Sequence, residues 1–193
     1  MTENPQAEAK KQLRSQLSSA RQSREPNHDE AARLSEQLGQ FCIDNKASVV
    51  AAYFPIEGEP DIREFLSWAL HNGIKLLLPT VAGSALNWVH FDGNTAFGEL
   101  GFEEAAGTPA KLQDAQIIFM PALAVDLSGN RLGKGKGFYD RALQSFGLTP
   151  ARKRPKLIAV VFDEEVLLSV PSEQHDFAVD AAVTASKLIW FKR

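Results

Sequence analysis

Short apolar runs of strand length alternate along the chain with amphipathic helical patterns, and this alternation limits the possible folds more than any other feature. Residues 48–54 form one such run before Pro55, and residues 75–78 form another before Pro79. Between them, apolar side chains recur at helical spacing over residues 62–70, which predicts an amphipathic helix. Strands that alternate with helices indicate a mainly parallel sheet with helices on both faces, so we predict a three-layer α/β fold.

The same periodicities place the other elements. Further strands are predicted in residues 86–91, 116–125, 157–162 and 181–184. Helices are predicted over residues 5–20, from an Asn27 cap through the Leu34, Leu38 and Phe41 stripe, from an Asp61 cap to Gly73, and over residues 138–146 before Gly147. Residues 92–112 have mixed polarity and several glycines and prolines, which predicts a loop with little regular structure.

Length and charge exclude several classes of protein. With 193 residues, 44% hydrophobic and 23% charged, we expect one globular domain over residues 1–193. No apolar run approaches the roughly 18 residues of a membrane span, and the charged N-terminal region does not resemble a secretory signal, so we expect a cytoplasmic protein. A net charge of −3 argues against a general nucleic-acid binder. The lone Cys42, among apolar neighbours, is predicted to be a buried thiol.

A glycine-rich basic loop follows the predicted strand that ends at Val125. Residues 126–141 read Asp-Leu-Ser-Gly-Asn-Arg-Leu-Gly-Lys-Gly-Lys-Gly-Phe-Tyr-Asp-Arg and lead into a predicted helix. Glycine allows backbone N–H groups to converge, and a helix N-terminus adds further N–H groups with partial positive charge, so the loop suits phosphate. Its glycine spacing matches neither the P-loop nor the dinucleotide fingerprint.

A flexible basic surface turn is the alternative interpretation of this loop, and glycine–lysine repeats alone would favour it. The flanks favour a phosphate site. An apolar strand runs directly into Asp126, and an aromatic pair followed by Asp140 begins the next helix. Because Mg²⁺ is usually held by one or two carboxylates together with substrate phosphates, Asp140 is a candidate magnesium ligand.

Residues 121–126 and 129–141 closely resemble the signature of the 5-formyltetrahydrofolate cyclo-ligase (5,10-methenyltetrahydrofolate synthetase) family, and the similarity covers nearly the whole chain. Lys10-Lys-Gln-Leu-Arg14 resembles the N-terminal motif that contacts the nucleotide phosphates in that family. Lys10 and Arg14 are four residues apart, so on a helix they share a face and could hold one anion together.

The resemblance implies a set of functional residues. The implied ATP contacts are Lys10, Arg14, Arg131, Leu132, Gly133, Lys134, Gly135, Lys136, Gly137, Phe138 and Tyr139. The implied catalytic residues are Arg131, Lys136 and Tyr139. The segment 53–61 resembles the strand-end segment that lines the folate pocket, with Ile56 packing on the substrate and Glu59 or Asp61 as its polar contact. A cap role for Asp61 competes with that contact, which favours Glu59. The implied Mg²⁺ ligands are Asp140 and, from a C-terminal family segment at residues 171–180, Asp176.

The resemblance also implies the reaction. ATP and Mg²⁺ would drive conversion of 5-formyltetrahydrofolate to 5,10-methenyltetrahydrofolate through a phosphorylated formyl intermediate, with release of ADP and phosphate. Partners would be these small molecules, without nucleic acid or membrane, and the protein would be a monomer. One alternative is a non-catalytic sensor domain that binds a phosphorylated metabolite at the same loop. A second, weaker alternative is nucleic-acid binding through Lys134, Lys136 and the basic residues 152–156.

Overall fold

A central eight-stranded sheet organises the residues that the computed structural model describes, which are residues 5–99, 101–144, 146, 154–173 and 176–192. The strands are β1 (Val49–Ala51), β2 (Lys75–Ala82), β3 (Ala85–Phe97), β4 (Glu103–Ala110), β5 (Ile117–Pro121), β6 (Ala124–Asp126), β7 (Arg131–Leu132), β8 (Lys156–Val160), β9 (Val166–Leu167), β10 (Ala181–Val183) and β11 (Leu188–Trp190). The helices are α1 (Pro5–Gln22), α2 (His28–Asp44), α3 (Arg63–His71) and α4 (Phe138–Gln144), with 3-10 turns at Leu112–Asp114 and Asp163–Glu165.

The strand order in the large sheet is β11-β10-β8-β5-β1-β2-β3-β4. The inner strands from β10 to β2 run parallel, whereas β11 at one edge and β3 and β4 at the other run antiparallel. The predicted α/β fold with a mainly parallel sheet is therefore confirmed. The antiparallel β2–β3–β4 part forms one wall of the cavity described below.

Helices cover both faces of the sheet, as predicted. Phe119 of β5 lies in the same core cluster as Leu38 of α2 and Phe65 of α3. The neighbouring residue Met120 points to the opposite face, in a cluster with Leu143 of α4, because successive side chains of a strand alternate between faces. Full burial of each such side chain stabilises the fold by about 1.5–3 kcal/mol.

A small second sheet, in the order β7-β6-β9, supports α1. Leu13 and Leu17, the predicted apolar stripe of α1, pack with Leu123, Leu132 and Val170 around that sheet. This contact places the face of α1 that carries Lys10 and Arg14 over the loop after β7. None of the described helices is long and apolar enough to cross a membrane.

Two strand predictions near the cavity were wrong. Residues 92–112 were predicted to be a loop, but β3 continues to Phe97 and pairs with β4, with an irregular register between Phe91 and Thr95. Pro79 was predicted to end β2, which instead runs to Ala82. The pairing of β1 with β2 ends at Leu77, so the edge of β2 that faced β1 has no partner strand at Pro79. Proline lacks a backbone N–H, but no hydrogen bond between strands is lost at this edge.

Other boundaries also differ. Residues 116–125 form two strands in different sheets, because the backbone of Leu123 leaves the large sheet and donates a hydrogen bond to Leu132. Three short strands, β7, β9 and β11, were not predicted. Asn27 caps α2 through its side chain as predicted, whereas α3 begins at Arg63 with Ile62 as its N-cap. The predicted end of α4 at Gly147 lies outside the described residues.

Candidate active site

A cavity of about 500 Å³ opens at the carboxyl ends of β1 and β5, where parallel sheets commonly bind ligands. It is lined by every residue predicted to contact ATP: Lys10, Arg14, Arg131, Leu132, Gly133, Lys134, Gly135, Lys136, Gly137, Phe138 and Tyr139. The predicted folate contacts Ile56 and Glu59 and the predicted metal ligands Asp140 and Asp176 line the same cavity. Side chains from distant parts of the chain thus meet in one place.

The buried carboxylate of Asp126 organises the start of the glycine-rich loop. It accepts hydrogen bonds from the backbone of Ser128, Asn130 and Val170 and from the Asn130 side chain. The turn then needs Gly129, whose φ of +83° is a left-handed conformation that other residues rarely adopt. These local contacts fix the path that leads into β7 and the loop beyond it.

Arg14 holds the loop backbone in place. Its Nε donates a hydrogen bond to the Gly133 carbonyl at 2.9 Å, and its guanidinium packs beside Gly135, which has φ of +95°. Within the described residues, its two terminal nitrogens have no hydrogen-bond acceptor. Arg14 can therefore position the loop and still present N–H donors to an anion in the cavity.

Lys10 is paired with two carboxylates of the C-terminal segment. Its buried ammonium lies 2.7 Å from Glu173 and 2.6 Å from Asp176. Burial alone would lower the pKa of Lys10, but the hydrogen bonds that it donates to Asp176 and Glu173 outweigh burial, so its pKa is raised. Lys10 therefore stays charged at neutral pH and joins α1 to the C-terminal segment.

Arg131 and Asp140 form a second ion pair in the cavity. Arg131 Nη2 lies 2.7 Å from Asp140 Oδ1, and the Arg131 side chain is only 4% exposed. The backbone N–H of Phe177 also approaches Asp140 Oδ1, at 3.5 Å. The buried Nε of Arg131 has no partner among the described residues. An unpaired N–H beside the cavity is a donor that a bound anion could use.

Glu59 and Lys134 form the third ion pair, which links the predicted folate segment to the predicted ATP loop. The Lys134 ammonium lies 2.8 Å from Glu59 Oε1, and the Glu59 side chain is 6% exposed whereas that of Lys134 is 42% exposed. Glu59 Oε2 also accepts a hydrogen bond from the backbone of Ile56. The two predicted binding regions are therefore in direct contact.

Tyr139 places a buried hydroxyl beside the cavity. The hydroxyl has no hydrogen-bond partner among the described residues. Burial, and then the negative charge of Glu59, raise the pKa of Tyr139 well above its usual value, and Arg131 offsets only part of this. Tyr139 therefore remains a neutral phenol that can donate a hydrogen bond but cannot act as a general base near neutral pH.

Asp61 does not line the cavity. Its carboxylate accepts a hydrogen bond from the Arg63 backbone and pairs with the Arg63 guanidinium at 2.8 Å, with both side chains about half exposed. This contact corresponds to the helix-cap role that was predicted for Asp61 as the alternative to a folate contact. Of the two carboxylates predicted as alternatives, Glu59 alone lies in the cavity.

One wall of the cavity was missed by sequence analysis. It comes from β2, β3, β4 and the turn before β4, and its residues are Pro79, Val81, Leu86, Phe102, Glu103 and Glu104. The polar composition of residues 92–104 concealed this hairpin. The adjacent Glu103 and Glu104 beside Phe102 were the available signal, since this stretch was predicted to be a loop and binding residues are often carried on loops.

The carboxylates of the cavity fit a magnesium ion. Asp140 Oδ2 accepts no hydrogen bond from the described part of the chain, and Asp140 and Asp176 both line the cavity. No cluster of three or more His, Cys, Asp or Glu side chains suitable for a metal occurs among the described residues. Mg²⁺ needs only one or two protein carboxylates when phosphates supply further ligands. The donor set therefore matches a cation shared with a phosphorylated substrate.

Comparisons with known proteins agree with this geometry. The model of the 5-formyltetrahydrofolate cyclo-ligase family matches residues 6–185. The 5-formyltetrahydrofolate cyclo-ligase of Mycolicibacterium smegmatis is 35% identical over 191 residues, which cover 93% of this chain and 95% of the relative. The enzyme of the same name from Escherichia coli K12 is 28% identical, over 75% of this chain and 81% of its own.

Solved structures share the fold. The NMR structure of Aquifex aeolicus 5,10-methenyltetrahydrofolate synthetase superposes with a TM-score of 0.79 at 26% identity, covering 95% of this chain and 93% of that one. A Mycoplasma pneumoniae 5,10-methenyltetrahydrofolate synthetase has the same fold, with a TM-score of 0.72 at 19% identity over 91% and 98% of the two chains. The family match spans nearly all elements that build the cavity, and this chain belongs to the 5-formyltetrahydrofolate cyclo-ligase family of ligases.

Proposed function

We propose that this enzyme uses ATP and Mg²⁺ to convert 5-formyltetrahydrofolate to 5,10-methenyltetrahydrofolate, with release of ADP and phosphate. The contact between Glu59 and Lys134 at 2.8 Å carries the proposal. One residue belongs to the predicted folate segment and the other to the predicted phosphate loop. Two ligands bound on either side of this pair would lie close enough to react without a covalent enzyme intermediate.

The chemistry requires phosphate activation. A formyl group on N5 is amide-like, so its carbon is a poor electrophile and its oxygen is a poor leaving group. In the proposed reaction the formyl oxygen attacks the γ-phosphorus and ADP leaves. N10 then adds to the activated carbon, the N10 proton is lost, and cleavage of the carbon–oxygen bond releases phosphate and leaves the methenyl bridge. No protein nucleophile is needed.

The residues of the cavity would act by position and charge. Lys134, Lys136 and Arg131 would neutralise the phosphates, and Arg14 would hold the loop while donating N–H groups to them. The Tyr139 phenol would donate a hydrogen bond to a substrate oxygen, in agreement with its raised pKa. Ile56 would pack against the folate and Glu59 would accept a hydrogen bond from it.

Asp140 and Asp176 would hold Mg²⁺ at the phosphates. Bound there, the cation would neutralise phosphate charge and orient the transferred group. Asp140 and Asp176 now contact Arg131 and Lys10, so the protein's own cations occupy the carboxylates that the metal would use. Phosphate binding to these cations and metal binding to the carboxylates would therefore favour one another.

Three broader expectations belong to the same proposal. Residues 1–193 would act as one domain, as a cytoplasmic monomer with small-molecule partners and without nucleic acid. The alternative of a non-catalytic sensor has no support from the named relatives, which are enzymes. It would also leave Ile56 and Glu59, in the same cavity as the phosphate loop, without a ligand.

The test is the absorbance of the methenyl product formed from 5-formyltetrahydrofolate, ATP and Mg²⁺. We expect product with the unmodified protein and none when ATP is omitted. Lys136→Ala and Asp140→Ala should each lower kcat/KM by about 10²-fold or more, the usual effect of removing a group that stabilises transition-state charge. Lys75→Ala is the matched control, because Lys75 is exposed and outside the cavity.

Two results would contradict the proposal. Product formation without ATP would exclude phosphate activation. Binding of ATP without any product, together with no measurable affinity for 5-formyltetrahydrofolate, would favour the sensor alternative. Equal activity of Lys136→Ala, Asp140→Ala and Lys75→Ala would remove these two side chains from the assignment while leaving the reaction intact.

A further inference from the structure

Glu104 is a buried carboxylate in the cavity wall that was missed by sequence analysis. It lies on β4 opposite Ala96 of β3, and its residue exposure is 7%. Its side chain reaches across to β2, where Oε1 accepts a hydrogen bond from the Val81 backbone at 3.2 Å. The carboxylate lies against Gly98, at which a Cβ atom would be only 2.2 Å from Oε2. A glycine at that position therefore makes room for this carboxylate.

Glu104 has fewer partners than the other buried carboxylates. Asp126 accepts hydrogen bonds from four N–H groups, and Glu165 is paired with Arg21. For Glu104, the described part of the chain supplies the Val81 N–H and no cation within ion-pair distance. A buried carboxylate with so few donors keeps unused acceptor capacity, which N–H groups of a ligand could satisfy.

The surroundings of Glu104 define the ligand that would meet it. Pro79, Val81, Leu86 and Phe102 make this end of the cavity mainly apolar, and most of the cations line the loop and α1. Arg141 of α4 also lines the cavity, but its guanidinium donates hydrogen bonds to the carbonyls of Ser84 and Lys136. A carboxylate here repels phosphate, so the group that binds beside it is not an anion. Glu103 is exposed, so the wall presents one buried carboxylate among apolar side chains, which suits a flat heteroaromatic ring that carries N–H donors.

We propose that Glu104 determines specificity by accepting hydrogen bonds from the amino group and adjacent ring N–H of the pterin. This rests on the proposed function. The 2-amino-4-oxopyrimidine ring presents two neighbouring N–H donors, which match the two oxygens of a carboxylate. Adenine presents its amino group beside a ring nitrogen that accepts, so one carboxylate oxygen would face an acceptor. The edge of the pterin that carries the 2-amino group and the ring N–H points away from N5, so this orientation leaves the formyl group free to face the phosphate loop.

The test measures equilibrium binding by titration calorimetry, which needs no turnover. Glu104→Gln keeps an oxygen for the Val81 N–H but removes the charge and one acceptor. We expect it to weaken 5-formyltetrahydrofolate binding about 10- to 100-fold, the effect of losing charge-assisted hydrogen bonds. Binding of a non-hydrolysable ATP analogue and the Tm should be unchanged. Glu99→Gln is the matched control, because Glu99 is exposed on the same hairpin and also accepts a backbone N–H, from Gly83.

A second measurement uses the unmodified protein and covers the case in which Glu104→Gln fails to fold. A 2-desamino-2-methyl analogue of 5-formyltetrahydrofolate should bind about 10-fold or more weakly than the parent compound, since it lacks one N–H donor. Equal binding of the two compounds would overturn the proposal. So would weaker ATP-analogue binding with unchanged folate binding in Glu104→Gln, which would assign the carboxylate to adenine. If the unmodified protein binds 5-formyltetrahydrofolate with this discrimination but forms no product, the reaction fails and the Glu104 assignment stands.

Discussion

Arg21 fixes the C-terminal end of α1, the helix that carries Lys10 and Arg14, to the body of the protein through a buried ion pair. Its guanidinium forms two hydrogen bonds with Glu165, at 2.6 and 2.7 Å, and a third with the Ala122 carbonyl at 2.5 Å. The side chains of Arg21 and Glu165 are 5% and 3% exposed. Loss of either partner would leave the other charge buried.

We expect Arg21→Met to destabilise the protein by about 3 kcal/mol. Removing one partner of a buried ion pair costs roughly 3–5 kcal/mol, because the remaining charge has no compensation. Two features of Arg21 and Glu165 place the expected loss of stability at the lower end of that range. Arg21 Nη1 has no partner among the described residues, so methionine also removes an unsatisfied donor. Glu165 keeps a hydrogen bond from the Phe162 backbone after the change.

The loss should appear in both thermal and urea denaturation. For a chain of this size, 1 kcal/mol shifts Tm by about 2–4 °C, so Arg21→Met should lower Tm by roughly 6–12 °C. Arg24→Met is the matched control. Arg24 pairs with Glu30 and Glu164 but is 28% exposed, and such pairs contribute about 0.2–1 kcal/mol each. The double variant Arg21→Met/Glu165→Leu should recover part of the loss, since no buried charge then remains.

Two results would refute this reasoning. One is a loss for Arg21→Met no larger than that for Arg24→Met, which would mean that the buried pair contributes no more than an exposed one. The other is a double variant as unstable as the sum of both single variants. That would place the cost in lost packing and not in the uncompensated charge of Glu165.

Two further predictions concern the backbone of the loop and the lone thiol. Gly129→Ala should lower the free energy of unfolding, measured by urea denaturation, by about 2 kcal/mol or more. Gly129 has φ of +83°, and a Cβ atom there would lie 2.7 Å from the Val179 carbonyl oxygen. The control Gly73→Ala, at φ of +73° with no atom nearby, should lower it by only about 1 kcal/mol. Equal losses would show that the Val179 contact adds nothing. Cys42 is 1% exposed, and burial raises the pKa of its thiol to about 12. It should therefore resist a thiol reagent at pH 8 until denaturant is added. Rapid labelling of the folded protein would contradict its burial.

The parallel part of the fold could be predicted from sequence because its signals are local. The Asn27 side chain accepts the capping hydrogen bond from the Glu30 backbone at the start of α2, and the apolar runs of β1, β5 and β8 are buried on both faces. The β3–β4 hairpin could not be predicted in the same way. Residues 92–97 project with most side chains exposed, and the register shifts between Phe91 and Thr95, so no apolar alternation marks the strand.

In the cavity, the types of residue could be predicted from the sequence, but their partners could not. The glycines and cations of residues 129–141 predict a phosphate loop, and every residue predicted to contact ATP does line the cavity. Their contacts depend on long-range packing. Lys10 meets Glu173 and Asp176 across more than 160 residues of sequence, and no local pattern could reveal that pairing. Glu104 was missed because the strand that presents it was not predicted.

Under the proposed function, the ion pairs of the cavity explain how one site can accept phosphate, a metal ion and folate. Arg131, Lys10 and Lys134 are predicted for phosphates, and each contacts a carboxylate predicted for another ligand: Asp140, Asp176 and Glu59. A charge buried without a partner is unfavourable, so the protein stabilises these groups by pairing them with one another. Phosphate, metal and folate would each replace one half of such a pair. When one ligand displaces a side chain from its ion pair, that side chain is left without a partner and can bind the next ligand. Binding of one ligand would therefore favour binding of the others, and the cavity would bind the complete set better than any one of them.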